Sequence, residues 1–345
     1  MSIRRVKMTA PGELRLETEE KEIALKEGMV KVRVSACGVC GSDLALLSGK
    51  RDFTKELYFG HELSGVVTEV SEESCGVRPG MRVASELSAT CGKCWNCRNG
   101  LAAYCRNMND ALLPGGFTET TLVRSTEDYS FLTPVPDSVD DITAALLEPM
   151  NCACRIAMKA EMRPGDSVAV FGLGAMGVIT AIILKRLGAG KVIGLDRSPA
   201  RMAKVRAAGI FDAVLTNDDE GISAVRDLCG EKGPDVTVEA TGVPAVFPTA
   251  LQLVRPGGRV VVGSVYSGSI SEFDPLPIFR KELTVVGAKG PTTYRRSDGS
   301  SAVMCMMEQA QEELKKIITV YDYKDALRAF EDARSGEAIK AVIRF

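Results

Sequence analysis

The sequence predicts an α/β protein with two domains, one rich in β-strands and one built on a doubly wound parallel sheet. Its 345 residues are enough for about two domains of typical size. The first 135 residues carry short strand-like runs separated by Gly, Pro and Asp. After an acidic, proline-containing segment at 133–149, strand and helix patterns alternate, which is typical of βαβ units in a parallel sheet.

The β-rich part contains four predicted strands, recognised by runs of Val, Thr and other strand-forming residues. They are MVKVRVSACG at 29–38, SGVVTEVS at 64–71, MRVASEL at 81–87 and GGFTETTLV at 115–123. The last part of the chain predicts a helical stretch from Ser301 to Ile318, a helix from Lys324 to Arg334 and a strand from Lys340 to Phe345. The first of these stretches has apolar residues at three-to-four spacing, at Val303, Met307, Ala310, Leu314 and Ile317.

The alternating part contains six predicted strands and the helical patterns between them. The strands are SVAVFG, KVIGLD, DAVLTN, DVTVEATG, RVVVGSV and LTVVGAKG, and the clearest helices are VITAIILKRLG and PARMAKVRAAG. The run from Ser167 to Leu184 has 18 residues without a charge, about the minimum for a membrane span. Its glycines and its change from strand-like to helix-like residues favour a buried strand, turn and helix instead.

The composition excludes several classes of protein. Lys and Arg number 43 against 45 Asp and Glu, without blocks of like charge, so there is no electrostatic footprint for nucleic acid. The N-terminus lacks the apolar stretch and cleavage site of a signal peptide, and we therefore expect a cytoplasmic protein without membrane association. Eleven cysteines in that reducing compartment predict metal binding rather than disulfides.

A glycine-rich loop after the first alternating strand predicts a dinucleotide site. Residues Gly172, Leu173, Gly174, Ala175, Met176 and Gly177 fit G-x-G-x-x-G, follow an apolar strand and open a helix. Asp196 follows 19 residues after the last glycine, where a carboxylate binds the adenosine ribose and disfavours a 2′-phosphate. NAD is therefore predicted over NADP, although the adjacent Arg197 could accommodate that phosphate; Arg201 and Thr241 are further predicted cofactor contacts.

Four cysteines predict a closed zinc site. Their pattern is C-x2-C-x2-C-x7-C, at Cys91, Cys94, Cys97 and Cys105. Short-spaced thiolates of this kind surround a tetrahedral structural zinc and leave no position open for catalysis. A zinc-ribbon module for nucleic acid is the alternative, but the surrounding basic residues are too few for a basic patch.

A second candidate metal site surrounds the only histidine of the chain, His61, within Gly60-His61-Glu62. A lone histidine is more often an ordinary core or surface residue than a ligand. The neighbouring motif Cys37-Gly38-Val39-Cys40-Gly41-Ser42-Asp43 and the later Glu148-Pro149 favour the ligand interpretation, because thiolate, imidazole and carboxylate all bind zinc. A redox pair of Cys37 and Cys40 is the alternative.

The sequence resembles the zinc-dependent medium-chain alcohol dehydrogenases, most closely the polyol and threonine dehydrogenase branch. The motifs GVCGSD, GHE, the four cysteines, GGFTE, EP, GLGAMG and FRKELTVVGA occur in the family's order. Glu148 stands where classical alcohol dehydrogenases place a second ligating cysteine. The resemblance implies a GroES-like domain at 1–147 and 287–345, with a structural-zinc lobe at about 88–108, and a Rossmann domain at 148–286.

The resemblance also implies the roles of individual residues. Cys40 and His61 would bind a catalytic zinc, with Glu62 or Glu148 as the third ligand. Asp43 would orient His61, and Ser42 would hydrogen-bond the alcohol oxygen and begin the removal of its proton. Ala45 replaces the histidine that completes this relay in many relatives, so Glu62, Glu148 or a water chain would complete it.

The implied reaction interconverts a secondary alcohol (a polyol, sugar alcohol, cyclitol or amino alcohol) and its ketone. Zinc would lower the pKa of the bound alcohol, and the resulting zinc alkoxide would transfer a hydride to NAD. Two zinc ions per chain are expected. The alternatives are a zinc-independent alkene or quinone reductase and a non-catalytic NAD- and zinc-binding sensor. A homodimer or homotetramer is expected through the edge of the Rossmann sheet, where RVVVGSVY at 259–266 would lie.

Overall fold

The computed structural model describes residues 2–20, 23–50, 59–72, 76–86, 91, 93–99, 101–107, 115–126, 132–270, 272–290, 297 and 300–345. The chain divides into two compact units, which are called here the first unit (Met1–Asn151 with Pro291–Phe345) and the second unit (Cys152–Gly290). The sequence predicted boundaries after residues 147 and 286; they fall after Asn151 and Gly290.

The first unit contains most of the strands. These are β1 (Ser2–Ala10), β2 (Glu13–Glu20), β3 (Met29–Gly38), β4 (Glu62–Val70), β5 (Arg82–Ser85), β6 (Thr120–Arg124), β7 (Leu132–Pro134), β14 (Ile318–Asp322) and β15 (Lys340–Arg344). Its helices are α1 (Gly41–Leu47), α2 (Trp95–Arg98), α3 (Asp141–Ala144), α10 (Ala302–Gln309), α11 (Gln311–Lys315) and α12 (Ala326–Ser335), with 3-10 turns at Ala102–Tyr104 and Tyr323–Asp325. Helix α4 (Leu147–Ala160) begins in this unit and continues into the second.

Strand β3 is central to the first unit. Among the described residues, seven strands form one sheet in the order β14-β15-β3-β4-β5-β7, with β6 also paired to β3. The buried face of β3 carries Val30, Val32 and Val34, at most 2% exposed, because alternate residues of a strand face the same side. Phe117 packs edge-on against Phe330 of α12, with ring centroids 5.1 Å apart. The sheet and the last helix therefore share one core.

The second unit is a doubly wound parallel sheet with helices between its strands. Its strands are β8 (Ser167–Phe171), β9 (Lys191–Asp196), β10 (Ala213–Thr216), β11 (Val236–Glu239), β12 (Arg259–Val262) and β13 (Thr284–Gly287). Its helices are α5 (Ala175–Arg186), α6 (Pro199–Ala208), α7 (Asp219–Cys229), α8 (Val246–Leu253) and α9 (Leu276–Arg280). Within the described residues the strand order is β10-β9-β8-β11-β12-β13, which places the topological switch between β8 and β11. Ligands of such sheets bind at the carboxyl ends of the strands beside the switch.

Two expectations about the elements were wrong. The helical stretch predicted from Ser301 to Ile318 is two helices, α10 and α11, because the backbone leaves helical geometry at Ala310 (φ −98°, ψ 8°). Strand β12, part of RVVVGSVY, does not form the sheet edge, since β11 and β13 pair with it on both sides. Among the described residues, the edge strand on this side of the sheet is β13.

The two-stranded sheet of β1 and β2 was not predicted from the sequence. This antiparallel hairpin places Arg5 opposite Glu17, and Arg5 pairs with Glu17 at 3.1 Å and with Glu19 at 2.6 Å. Cross-strand pairs of opposite charge stabilise such a ribbon.

The uncharged run that raised the question of a membrane span forms a buried strand, a turn and a helix, as predicted. It divides into β8 and α5. In the part of the chain that the structure describes, we find no helix with the length and apolar character needed to cross a membrane.

Candidate active site

The start of β4 and the loop before α1 bring together three of the predicted zinc ligands. The donor atoms of Cys40, His61 and Glu62 all lie within 4.8 Å of one another. Pairing of β3 with β4 places Gly38 directly opposite Glu62, which brings the Cys40 loop beside the GHE motif. His61 and Glu62 are 3% and 1% exposed, so the cluster is buried.

Hydrogen bonds at the N-terminus of α1 hold Cys40 in place. Cys40 is the N-cap residue: its sulfur accepts a hydrogen bond from the backbone N–H of Ser42 (3.5 Å), and its own N–H donates to the Asp43 carboxylate (2.9 Å). This reciprocal pattern is a capping box with a thiol in the place of the usual hydroxyl. These hydrogen bonds at the start of α1 therefore hold the Cys40 thiol in one position.

Asp43 and Ser42 lie on different sides of the His61 ring. The fully buried Asp43 carboxylate accepts from the N–H of Gly60 (3.1 Å) and lies 3.7 Å from His61 Nδ1. The Ser42 hydroxyl lies 3.5 Å from His61 Nε2. Burial alone would lower the pKa of His61, but the negative charges of Asp43 and Cys40 raise it well above its ordinary value. The arrangement presents Nε2 on the side of Ser42.

Sequence reasoning missed Lys340, which forms an ion pair with Glu62. Its side chain is 2% exposed, and its Nζ contacts Glu62 Oε2 and donates to the carbonyl oxygen of Val39 (3.0 Å). Burial would lower the pKa of Lys340, but the charge of Glu62 raises it. The only sequence signal is a lysine that opens strand β15, directly before its apolar run at 341–343.

Gly38 makes room for this ion pair. A Cβ atom at Gly38 would collide with Glu62 Oε2 and lie 3.0 Å from Lys340 Cε. Strand β15 runs along the other side of Gly38, which faces Val342 in the register. The first glycine of the Cys-Gly-Val-Cys-Gly motif is thus required by packing around the Glu62 carboxylate.

Glu148 lies near the cluster but is not one of the three residues with mutually close donor atoms. It is 4% exposed, in the first turn of α4, and its negative charge contributes to the raised pKa values of His61 and Lys340. Cys37, by contrast, belongs to the apolar core, where burial raises its pKa well above the ordinary value. A buried, protonated thiol is a poor partner for a redox pair.

The donor chemistry of the cluster fits a divalent metal ion. Thiol, imidazole and carboxylate donors converge, and Asp43 and Glu148 add negative charge around them. Buried anionic groups are unfavourable without compensating positive charge. Three protein ligands with a further position open is the pattern of catalytic zinc sites.

The four-cysteine lobe also has the geometry of a metal site. The sulfur atoms of Cys91, Cys94, Cys97 and Cys105 lie within 4.8 Å of one another. Backbone N–H groups of Arg106 and Cys97 lower the pKa of the Cys94 thiol to about 6, which favours the thiolate that zinc binds. Of the lobe predicted at about 88–108, residues 88–90, 92, 100 and 108 lie outside the described part of the chain.

The glycine loop of the second unit fits a dinucleotide. Gly174 is the N-cap of α5, without a side-chain cap, and a Cβ there would meet open space. Ala175, Met176 and Gly177 form the first turn of that helix, whose partial positive charge attracts a pyrophosphate. Gly172 has a φ of 94°, a left-handed conformation that glycine adopts readily.

Asp196 lies at the end of β9 and contacts the glycine loop. Its carboxylate accepts from the N–H groups of Leu173 (2.8 Å), Arg197 (2.8 Å) and Ser198 (2.9 Å), and pairs with Arg201 at 3.2 Å. Burial raises the pKa of Asp196, but these N–H groups and Arg201 outweigh it and lower the pKa below the ordinary value. The carboxylate is therefore ionised at neutral pH.

A second missed residue, Glu239, holds Thr241 in position. The fully buried Glu239 carboxylate, at the end of β11, accepts from the N–H groups of Thr241 (2.7 Å) and Gly242 (3.2 Å) and from the Ser264 hydroxyl. A Cβ at Gly172 would lie 2.9 Å from Thr241 Cγ2, so Thr241 packs against the glycine loop. The sequence does contain a signal for Glu239, since an acidic residue ends a buried strand shortly before Thr241-Gly242.

Gly38→Ala should disrupt the predicted metal site formed by Cys40, His61 and Glu62. The added methyl group displaces the Glu62 carboxylate, and we expect zinc affinity at this site to fall about tenfold or more and stability to fall by about 1–3 kcal/mol. Elemental analysis after dialysis and thermal unfolding measure the two effects. Gly41→Ala is the matched control, since its Cβ meets open space. Equal zinc retention in both variants would contradict this account of Gly38.

Family comparisons agree with the fold and the site. The sequence matches the family "Alcohol dehydrogenase GroES-like domain" over residues 26–137 and the family "Zinc-binding dehydrogenase" over 175–308. It is 32% identical over 326 residues to "Probable D-xylulose reductase A" of Arthroderma otae, which spans 91% of this chain and 89% of that protein. It is 28% identical over 333 residues to "Sorbitol dehydrogenase" of Halalkalibacterium halodurans, which spans 94% of each.

Among solved structures, the chain resembles the 2R,3R-butanediol dehydrogenase of Bacillus subtilis. The TM-score is 0.81 at 26% sequence identity, over 100% of both chains. Sequence families, curated relatives and fold agree with the motifs from which the resemblance was first drawn. The chain therefore belongs to the zinc-dependent medium-chain alcohol dehydrogenases, in their polyol dehydrogenase branch.

Proposed function

We propose that this enzyme interconverts a secondary alcohol of the polyol class and its ketone, with a catalytic zinc and NAD as cofactors. The observation that carries the proposal is the convergence of Cys40, His61 and Glu62 beside the Ser42 hydroxyl. The relatives named for xylulose, sorbitol and butanediol act on substrates that support the polyol class. A zinc-independent reductase would have no need of this set of side chains. The relatives named as dehydrogenases and reductases favour an enzyme over a non-catalytic zinc-binding sensor.

The proposed mechanism divides the work among these residues. Bound zinc supplies a Lewis acid for the alcohol oxygen, and NAD supplies the hydride acceptor. Cys40, His61 and Glu62 hold the metal. Ser42, 3.5 Å from His61 Nε2, would accept the alcohol proton at its Oγ while its own hydroxyl proton passes on to the next acceptor. Glu148 is close enough to raise the pKa of His61 through its charge and is the proposed next acceptor, in the absence of a relay histidine.

Two buried residues, Asp43 and Lys340, contact the proposed metal ligands and hold them in position. Asp43 faces His61 Nδ1, which fixes the ring orientation and leaves Nε2 for the metal. Lys340 contacts the Glu62 carboxylate and balances its negative charge. We propose Glu62 as the third ligand, with Glu148 available as its replacement, because the donor atoms of Glu62 already lie with those of Cys40 and His61.

The preference for NAD is supported by the surroundings of Asp196. An ionised carboxylate at the ribose position repels a 2′-phosphate. Arg201 is paired with that carboxylate, and Arg197 donates through Nε to the Asn217 carbonyl (3.4 Å), so both arginines are engaged. A second zinc in the four-cysteine lobe completes the proposed cofactor content.

A homodimer or homotetramer is proposed through β13 rather than β12. Strand β13 ends the sheet, and Val285 on this strand and Phe279 just before it are 36% and 82% exposed. An exposed edge strand with apolar side chains is a template for pairing with a second chain. The cytoplasmic location remains a prediction from the sequence.

Zinc content and activity test the function together. Purified protein without a histidine tag should contain about two zinc ions per chain and oxidise members of a polyol panel with NAD. Cys40→Ser should retain about one zinc and lose activity roughly 100-fold or more, because a first ligand is removed. Cys94→Ser is the matched control that removes the other ion. Full activity in Cys40→Ser would refute the zinc-dependent mechanism.

A matched pair of variants assigns the third ligand. Glu62→Gln should weaken retention of the catalytic zinc by roughly 10–100-fold, whereas Glu148→Gln should leave it within a few-fold of the wild type. Competition with a chelator, followed by elemental analysis, measures both. Thermal unfolding with excess zinc checks that each variant is folded. Loss of zinc in Glu148→Gln alone would assign the ligand to Glu148 instead.

Removing the charge of Asp196 should change cofactor preference. Asp196→Asn keeps one acceptor oxygen and removes the repulsion of a 2′-phosphate, so we expect the kcat/KM ratio of NAD to NADP to fall roughly 10–100-fold. Asp212→Asn, at an exposed ion pair with Lys185, is the control and should leave the ratio unchanged. A wild-type enzyme that uses both cofactors equally would refute the preference.

A further inference from the structure

Asn151 has a buried amide without hydrogen-bond partners among the described residues. The residue is 0% exposed, and within the described part of the chain neither Oδ1 nor Nδ2 forms a hydrogen bond. Leaving a buried polar group unpaired costs about 1–3 kcal/mol, and such groups are rare in native proteins. An amide that is unpaired at both ends among the described residues can therefore take up a bound ligand.

The position of Asn151 points to the active site. It lies three residues after Glu148 on α4, and residues at this spacing are neighbours on a helix, with Cβ atoms about 5–6 Å apart. Glu148 in turn contributes through its charge to the raised pKa of His61. The unpaired amide is thus one helical turn from Glu148, the proposed proton acceptor and alternative metal ligand.

The amide also defines what kind of group it can bind. It offers an acceptor at Oδ1 and donors at Nδ2, so a carboxylate or phosphate would leave Oδ1 unpaired. A neutral group that both donates and accepts, such as a hydroxyl or a carboxamide, satisfies both ends. Polyols carry hydroxyls beside the reacting carbon, and nicotinamide carries a carboxamide.

The other side chains near the first zinc cysteine do not supply this recognition. Leu44 and Leu47 pack against the apolar core of the first unit, and Leu46 is 6% exposed. Helix α1 therefore presents no polar side chain after Asp43 for a second hydroxyl. Recognition of such a group has to come from another element.

We propose that Asn151 is a ligand-binding residue whose amide pairs with a neutral donor–acceptor group of the bound reactants. This group is a second hydroxyl of the alcohol or the carboxamide of the nicotinamide. The inference rests on the proposed function and names a specificity contact within it. Water alone in the position of the ligand is the competing explanation.

The test replaces the amide by an apolar side chain of similar size. Asn151→Leu removes both unpaired ends, so its thermal unfolding midpoint should equal or exceed that of the wild type. Asn151→Ser keeps a hydroxyl and should retain part of the wild-type kcat/KM. Thr180→Val is the control, because Thr180 has a buried hydroxyl without a described partner but lies in α5 of the second unit.

Three measurements separate the outcomes for Asn151→Leu: kcat/KM for 2,3-butanediol, kcat/KM for 2-butanol, and NADH affinity by fluorescence without substrate. A fall of about tenfold or more for the diol alone assigns the contact to a substrate hydroxyl. A similar fall in NADH affinity and for both alcohols assigns it to the carboxamide. Unchanged kinetics and NADH affinity, or losses equal to those of Thr180→Val, would overturn the proposal. A wild type that oxidises neither alcohol nor any polyol would refute the proposed function itself.

Discussion

The other residues of the predicted metal site depend on the contacts of the Asp43 carboxylate. It has no exposed surface, and it accepts hydrogen bonds from Cys40 N–H and Gly60 N–H while facing His61. One side chain thus connects the loop before α1 with the loop before β4. A carboxylate is stable in such a place only when several donors surround it, so the position of each segment constrains the other.

The sequence motifs predicted the metal-binding side chains of this site but not the lysine that pairs with one of them. Cys40, His61 and Glu62 are close in sequence to glycines and acidic residues that mark a metal site, and the structure brings their donor atoms together. Lys340 could not be predicted in the same way, because it is 301 residues from Val39, whose carbonyl oxygen it contacts. That contact forms only when β15 pairs with β3. The spacing of residues along one segment does not predict which distant strand it pairs with.

The fold shows the same division between local and non-local information. The second unit was predicted strand by strand, because most of its strands are buried on both faces and read as continuous apolar runs. The β1 and β2 hairpin was missed, since its strands carry charged residues at about half of their positions and are held by ion pairs. The break at Ala310 was invisible for another reason: the apolar spacing continues unchanged through it, and Ala310 itself is buried.

The insertion of the second unit into the first has a consequence for biosynthesis. Strand β3 leaves the ribosome early, but its partner β15 follows only after the whole of Cys152–Gly290 has been made. Until then the β3 edge is open to wrong partners, and the buried carboxylate of Glu62 lacks its counter-ion. The second unit, which is one continuous segment of the chain, can fold in the meantime. The order of synthesis thus favours a nascent chain that acquires its cofactor-binding unit before its metal cluster is complete.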